Sequence, residues 1–297
     1  MKYYVSIILP TFNRATTIKK SIDSVLNQTY KNFELIIIDD GSTDNTRDLV
    51  KQYKDKRIKY IHYKENKGAS YARNLGIKKA KYDLIAFQDS DDKWTKYMLR
   101  KLVNSIKDNE STNVVYTDML RVKKNGEKIY WHSPDVVKGK IINEENNDYQ
   151  VANIGLITIL SKKFCIEKIG GFDIELKKFI DLDFFIRLAK EYKMYHIKEP
   201  LALYYENEGI STNYYNGYKA REYLLKKYTK YFKKNRKFIA DQNYKICFFL
   251  LKAGLYSKAR SYCKKAVNYN NFNIKFRLVN LLLKYFPGLF RKFYKKA

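Results

Sequence analysis

Three carboxylates crowded behind a short apolar run form the most chemically loaded stretch of this chain. Asp83 to Trp94 reads D-L-I-A-F-Q-D-S-D-D-K-W. Leu84 to Phe87 has the length and character of a buried strand, and Asp89, Asp91 and Asp92 follow just past its C-terminal end. In an open α/β sheet that edge is where ligands bind. Carboxylates this close repel one another unless a cation or hydrogen-bond donors offset the charge. A hard divalent cation that also holds substrate phosphates is the usual resolution. A solvated turn with an Asp N-cap uses the same residue types, so D-x-D alone leaves both readings open. Asp39 and Asp40 form a second acidic pair after another apolar run, and Asp181 and Asp183 a third at the start of I-D-L-D-F-F-I-R-L-A-K. Carboxylates at a helix start are also favoured by the helix dipole.

The elements that must position these groups follow from periodicity. Tyr4 to Leu9 reads as a first buried strand ended by Pro10, Thr11, Phe12 and Asn13. A helix from about Thr16 to Asn27 carries Ile18, Ile22, Val25 and Leu26 on one face. Phe33 to Ile38 is nearly all apolar, as central parallel strands are. It runs into Asp39-Asp40-Gly41-Ser42-Thr43-Asp44, with Ser42 or Asp44 as expected N-cap of the next helix. Ile58 to His62 is a third strand, Ala69 to Ala80 a helix, Leu84 onward the fourth strand and Val114 to Thr117 the fifth. This alternation predicts an α/β fold with a doubly wound, mostly parallel sheet. The Pro10-Thr11 turn and the two acidic strand ends then converge on one crevice. Neither G-x-G-x-x-G nor G-x-x-x-x-G-K-[ST] is present, so dinucleotide and P-loop readings find no support. A nucleotide could still bind, with Thr11 and Asp40 on base and ribose and a metal on Asp91 holding its phosphates.

Composition narrows the class. A 297-residue chain that is 45% hydrophobic and 16% aromatic folds around one large core or two modest ones. No apolar run approaches the ~20 residues of a membrane span, and Met1 leads straight into a strand-like run, so no signal peptide is expected. Cys165, Cys247 and Cys263 fit no metal spacing and suit a reduced cytoplasm. His62, His132 and His196 are equally scattered, which leaves no basis for a zinc site or a Ser-His-Asp triad. The net charge of +28 is uneven: residues 211–297 hold 22 Lys/Arg against Glu222 and Asp241, a net of +20, and residues 1–210 hold the other +8. Such a tail seeks phosphate, in anionic lipid or nucleic acid.

Five motifs in order carry a family resemblance. S-I-I-L-P-T-F-N-R (Ser6 to Arg14), S-V-L-N-Q-T-Y (Ser24 to Tyr30), F-E-L-I-I-I-D-D-G-S-T-D-N-T (Phe33 to Thr46), G-A-S-Y-A-R-N-L-G-I (Gly68 to Ile77) and F-Q-D-S-D-D-K-W resemble family 2 glycosyltransferases of the GT-A fold. The likeness covers roughly residues 4–205. It implies a Rossmann-like nucleotide half followed by an acceptor half, and a nucleotide-sugar donor whose base and ribose meet Pro10, Thr11 and Asp40, with Asn13 and Arg14 nearby and Asp39 in support. It implies Asp91 as ligand of Mn²⁺ or Mg²⁺, Asp89 and Ser90 toward the ribose or sugar, and Asp92 as a supporting residue. Arg73 and Asn74 fall where the family keeps a polar pair facing the donor, although a surface ion pair also explains Arg73. Asp181 matches the catalytic aspartate, and Asp183 and Arg187 the acid and arginine that follow it. Ile180 stands where the family usually has glutamate. A carboxylate with an ordinary pKa near 4 suits the base role.

The middle of the chain and its tail differ in character. Lys124-Asn125-Gly126-Glu127 is a hairpin signal. Trp131 and His132 line the acceptor side or pack, packing being favoured. Asn153 to Leu160 reads as a strand, and Gly170-Gly171 marks a tight turn. Residues 1–212 are therefore expected to form the glycosyltransferase domain and residues 213–297 a basic helical region. Gly254 to Ala266 resembles half a tetratricopeptide repeat, and one copy cannot build a solenoid, so a helix pair packed on the catalytic domain is expected. Ile274 to Phe286 is strongly apolar, Pro287-Gly288 breaks it, and L-F-R-K-F-Y-K-K-A closes the sequence. Basic residues interleaved with Leu, Phe and Tyr predict a helix lying in an anionic membrane surface; a core helix with a solvated basic end is the plainer alternative. The expectation is an inverting, metal-dependent enzyme at the cytoplasmic face of the membrane, acting on a lipid-linked saccharide acceptor. A nucleic-acid-binding protein and a catalytically inactive scaffold are the competing readings, the first disfavoured because the charge lies outside the motif-bearing region.

Overall fold

Alternating apolar runs and amphipathic stretches fold as β1 (Val5–Thr11), α1 (Ile18–Leu26), β2 (Phe33–Asp39), α2 (Thr46–Lys51), β3 (Ile58–His62), α3 (Ala69–Lys79) and β4 (Leu84–Phe87). The structure, a computed structural model, describes residues 3–109, 111–145, 147–206, 213–286, 288 and 290. β1 runs through Pro10 to Thr11, two residues beyond the expected end. It pairs with β4 only from Val5 to Ile8, so Pro10 lies past that register and its missing N–H breaks no bond on that side.

One face of these strands sends Ile7, Leu9, Leu35 and Ile37 into a core with Ile18, Ile22 and Val25 of α1. On the opposite face α3 lies hard against β1. A Cβ at Gly76 would sit 2.5 Å from Ile8 Cγ2, so only glycine allows this approach. β1 is buried along its whole length, and each such aliphatic side chain contributes about 1.5–3 kcal/mol relative to exposure.

The next elements are β5 (Lys93–Trp94), α4 (Met98–Asp108), β6 (Val114–Val122), β7 (Lys128–Trp131), β8 (Ile142–Asn143), β9 (Asp148–Tyr149), β10 (Leu160–Lys162), α5 (Lys163–Lys168), α6 (Ile180–Glu191) and β11 (Met194–Tyr205). The main sheet has the order β3-β2-β1-β4-β10-β6-β11-β5, with β7 added to β6. Its first four strands are all parallel. β10 is antiparallel to both β4 and β6, while β6 and β11 run parallel. The parallel expectation therefore describes the first half, and the second half is mixed. The Asn-Gly hairpin forms as expected between β6 and β7, with Gly126 at φ +84°.

At the start of α2, Asn45 occupies the N-cap position without a side-chain bond, while the Asp44 carboxylate accepts from Thr46 N, the first helical N–H, at 3.0 Å. One local expectation is corrected. Residues 153–159 do not form a strand. They make turns and a single 3₁₀ turn at Leu156–Thr158 before β10 begins, because a short apolar run does not distinguish a strand from other buried backbone.

The chain divides into two compact units, residues 1–140, 150–175 and 180–207 in one, and 141–149, 176–179 and 208–297 in the other. Among the described residues past 213 the second is helical, as expected: α7 (Tyr214–Lys227), α8 (Thr229–Phe232), α9 (Arg236–Lys252), α10 (Tyr256–Tyr269) and α11 (Ile274–Tyr285). Asn213, Asn235 and Asn273 cap α7, α9 and α11 by accepting from Asn216 N, Phe238 N and Phe276 N. Ile246, Cys247 and Leu250 of α9 pack on Ala259, Tyr262 and Cys263 of α10. No helix among the described residues is long and apolar enough to cross a membrane. Pro287 and most of the closing basic run lie outside the described residues.

Candidate active site

The ends of β1, β2 and β4 meet through their loops. Asp40 N donates to Thr11 O at 2.8 Å, and Gln88 N to Ile8 O at 2.9 Å. Asp40 itself is buried. Its Oδ1 accepts from Lys67 N at 2.7 Å and its Oδ2 from Gly68 N at 2.8 Å, which ties the loop before α3 to the end of β2. Asp39, fully buried, accepts from Ser42 N at 2.8 Å and from the Tyr60 hydroxyl. Asn13, at φ +51°, latches the first loop to the second: its Oδ1 accepts from Thr43 N at 2.8 Å and its own N–H donates to Ser42 Oγ at 2.9 Å. Asp44 joins the same lattice, accepting from Ala15 N at 3.0 Å and Thr46 N at 3.0 Å. Within this knot, the buried Thr11 Oγ1 has no hydrogen-bond partner among the described residues, and Pro10 is buried beside it.

The loop after β4 is fixed from below by Ser21, which lies outside every motif, and by Gln88. Ser21 Oγ donates to Asp89 O at 2.6 Å, and the buried Gln88 side chain donates to Ser21 Oγ at 3.0 Å and Asp92 O at 2.8 Å. Arg73, only 6% exposed, pairs through Nη2 at 2.7 Å with Asp89, whose side chain is 29% exposed, so a buried guanidinium meets a half-buried carboxylate. Burial works against the Arg73 charge, yet Asp89, Asp181 and Asp91 together hold its pKa above the ordinary value. Arg14 Nη2 stands 3.5 Å from Asp91 Oδ2. Ser90 is buried, and Asp92 accepts from Tyr205 N at 2.8 Å. Burial, with Asp89 and Asp91 beside it, pushes the Asp92 carboxyl well above the usual range.

α6 brings in the third acidic group. Asp181 is partly buried at the first turn. Burial raises its pKa, the Arg73 guanidinium pulls it back and Asp89 raises it again, leaving it at about 6. The ordinary value expected from sequence is corrected, although the group is still mostly ionised at pH 7. Asp183, fully buried, receives Arg187 Nε at 2.8 Å, and Arg187 Nη1 donates to Ile169 O and Gly171 O, both at 2.6 Å. This holds the start of α6 against the glycine turn, where Gly170 and Gly171 have φ of +79° and +67°. Asn74 serves the same turn. Its amide nitrogen donates to Phe172 O and its amide oxygen accepts from Phe172 N, both at 2.8 Å. Those amide atoms face the turn rather than a donor, so Asn74 positions α6.

A cavity of about 300 Å³ opens at this cluster, lined by Asp89, Asp92 and Asp181 on its acidic side. The other walls come from Met119, Arg121, Trp131, Tyr204 and the turn residues Asn153 to Ile157. Trp131 thus faces the cavity while its Nε1 donates to Asn153 O at 3.0 Å; His132 stacks on Tyr130 instead, at 4.1 Å between ring centroids. Sequence patterns gave no signal for Arg121 or Tyr204. No group of three or more His, Cys, Asp or Glu side chains converges as a metal cage among the described residues. Asp91 as a single carboxylate still fits a hard cation of the kind that rests on one or two protein oxygens and completes its shell with substrate phosphates and water.

Residues 6–164 match the sequence profile described as Glycosyl transferase family 2. The chain belongs to that family. The profile covers β1 to β4, Arg73, the three carboxylates after β4 and the cavity walls from β6 to β10, and stops short of α6. Among relatives of this glycosyl transferase family 2 chain, an uncharacterized glycosyltransferase of Rickettsia bellii is 46% identical over 125 residues, 41% of this chain and 18% of that protein. A UDP-Glc:alpha-D-GlcNAc-diphosphoundecaprenol beta-1,3-glucosyltransferase of Escherichia coli is 52% identical over 92 residues, 31% of this chain and 36% of that protein. The matches thus span well under half the length of these curated relatives. In fold, the chain resembles S. aureus TarS 1-349 solved with UDP-GlcNAc, with a TM-score of 0.63 at 18% identity over 95% of this chain and 91% of the other.

Proposed function

We propose that this chain transfers a hexosyl or N-acetylhexosaminyl group from a nucleoside-diphosphate sugar, in the first place a UDP-sugar, to a hydroxyl of a saccharide acceptor, with inversion at the anomeric carbon. The observation that carries this reading is the placement of Asp181 and Asp89 on one cavity wall, with Arg73 bonded to Asp89 and electrostatically coupled to both. Asp181 takes the proton from the acceptor hydroxyl as that oxygen attacks the anomeric carbon. Its pKa near 6 keeps it ionised at neutral pH and closer to the operating pH than an ordinary carboxylate. Arg73 pairs with Asp89 and favours the charged form of Asp181. Thr11 Oγ1, buried and unpartnered among the described residues, supplies a polar contact for the nucleoside, with Pro10 and the loop carrying Asp40 and Arg14 around it. Asp91 would hold Mn²⁺ or Mg²⁺, and that cation, when bound, would offset the charge developing on the leaving diphosphate.

The acceptor in this reading is lipid-linked and the product a capsule, O-antigen or exopolysaccharide unit, in keeping with the undecaprenol-linked substrate in the name of the E. coli relative. α11 supports a location at the inner membrane face. Ile274, Leu278, Leu281 and Tyr285 fall on one side of the helix and are 79%, 56%, 50% and 60% exposed, while Phe276 and Leu283 are buried. An exposed apolar stripe on a helix within a strongly cationic region suits an anionic lipid surface. Replacing both Leu278 and Leu281 with Glu is expected to remove co-sedimentation with anionic vesicles; undiminished sedimentation would place the contact elsewhere, and salt-sensitive retention on single-stranded RNA instead would favour the nucleic-acid reading. Calorimetric titration with UDP, GDP and dTDP, each with and without Mn²⁺, tests the donor site. Mn²⁺-dependent binding of one of them, lost in Asp91→Ala, is the expected result. Binding of none would return the chain to the scaffold reading.

A further inference from the structure

The wall of the cavity opposite its carboxylates is built by strand alternation. Met119 and Arg121 are two apart on β6 and therefore share a face. Trp131 of β7 lies opposite Met119, and Tyr204 of β11 lies opposite Arg121. Directly opposed residues on neighbouring strands project to the same side, so all four side chains line the cavity together. Among the described residues that line it, Arg121 is the only cation, set against Asp89, Asp92 and Asp181. Its guanidinium carbon stands 5.2 Å from the centre of the Trp131 ring, a cation–π arrangement. Its Nε is paired with Glu206, and the two side chains are 39% and 28% exposed. A neutral sugar stacking on Trp131 needs no guanidinium beside it. A planar, always-charged fork that one carboxylate holds at the edge of a cavity can instead exchange that carboxylate for an incoming anion.

Resting on the glycosyltransferase reading, we propose that the acceptor is an anionic saccharide, and that Arg121, stacked on Trp131, determines this specificity by binding its negative group, a phosphate or a carboxylate, while the sugar ring lies against Trp131. Glu206 is the internal competitor that occupies Arg121 when the cavity holds no acceptor. The chain has two tryptophans, and Trp94 is only 4% exposed with its indole N–H bonded to Ile157 O. Trp131 fluorescence is therefore a local reporter of this wall.

The test uses the full chain with Mn²⁺ and saturating UDP, so that the donor side is filled. Methyl glucoside, glucose 1-phosphate and methyl glucuronide are titrated against tryptophan emission, with Trp131→Phe as the variant that should lose the signal. One or both anionic sugars are expected to bind about tenfold more tightly than the neutral glycoside, the size of a charge-assisted hydrogen bond; which of them does so distinguishes phosphate from carboxylate recognition. Arg121→Met should bring the three sugars to equal affinity, Arg121→Lys should keep part of the preference, and Glu206→Gln should enlarge it. Equal binding of all three by the unaltered protein, a preference that survives in Arg121→Met, or no response of Trp131 to any sugar would each overturn the proposal. Nucleotide binding measured by calorimetry on the same preparation separates such a failure from a failure of the glycosyltransferase reading.

Discussion

The two sides of the cavity are built from different materials. On the proposed donor side, loops after β1, β2 and β4 are locked by side-chain-to-backbone hydrogen bonds: Asp39, Asp40, Asn13, Asp44 and Gln88 each satisfy loop N–H groups or reach a neighbouring loop. On the proposed acceptor side, the face of β6, β7 and β11 contributes Met119, Trp131 and Tyr204, held by strand pairing and packing. Polar latches fix positions to within a hydrogen-bond length, which suits a diphosphate and a transferring sugar. A packed apolar wall can change shape by exchanging one side chain for another without moving its strands. The contrast predicts that donor-side changes damage affinity or rate, whereas acceptor-side changes redirect selectivity.

The largest expected effect tests the point where the two sides meet. Asp181→Asn should lower turnover by about 10²–10⁴-fold while nucleotide binding by calorimetry is unchanged. The pH dependence has opposite signs for rate and for stability. In the proposed reaction transfer needs ionised Asp181, so kcat/KM should hold above about pH 6 and fall as pH drops below it. Because the folded-state pKa is raised above the ordinary value, the group's contribution to stability is fully present below that ordinary value and lost as pH rises through about 6. Asp181→Asn should therefore raise Tm at pH 7.5, and a lowered Tm would mean that the ionised carboxylate supports the fold.

Next in size is the clamp behind Asp181. Arg187→Met leaves Asp183 buried without its ion-pair partner and should cost about 3–5 kcal/mol in urea unfolding; a loss below ~1 kcal/mol, the range of surface pairs, would show that the pair is not part of the frame. A smaller effect is expected at the loop latch. Asn13→Ala removes the acceptor for Thr43 N and should cost about 1–2 kcal/mol, appearing as weaker nucleotide binding with turnover at saturation preserved. Reduced turnover with unchanged nucleotide affinity would break the donor-side half of the comparison. The smallest effect belongs to the other wall. A Cβ at Gly155 would lie 2.8 Å from Met119 Sδ, and methionine is flexible enough to give way. Gly155→Ala should shift sugar affinity, read by Trp131 emission, by a few-fold, on the order of 1 kcal/mol, and leave nucleotide affinity untouched.

Legibility in the sequence divided along the same line. β3, the start of α6 near Asp181 and the glycine turn before it follow from local pattern, because each is a short-range choice of the backbone. The motif-bearing strand ends were legible for the same reason. What escaped depended on distant partners. Asn74 and Arg73 are adjacent and equally polar, yet one faces the Phe172 backbone and the other Asp89, and only the position of the 170–172 turn decides between them. Ile154 to Ile159 is apolar enough for a strand, but it makes turns at the cavity wall before β10 begins. Arg121, Trp131 and Tyr204 come together only through the register of β6 with β7 and β11, and β11 itself carries a register shift at Pro200. Raised pKa values at Asp181 and Asp92 likewise arise from burial that composition does not encode.

The membership of segments 141–149 and 176–179 in the helical unit bears on how such chains can be inherited. Asn147 pairs with Asp241, Asp148 with Lys245, Tyr149 packs on Phe238 and Phe179 on Phe249. The backbone consequently passes between the two units five times. A single crossover near residue 208 would deliver the helices to a new catalytic half without the two short segments that complete their packing. Recombination between relatives is thus constrained to exchange the helical region together with the interior of the acceptor-side sequence, so the two should be found descending as one block.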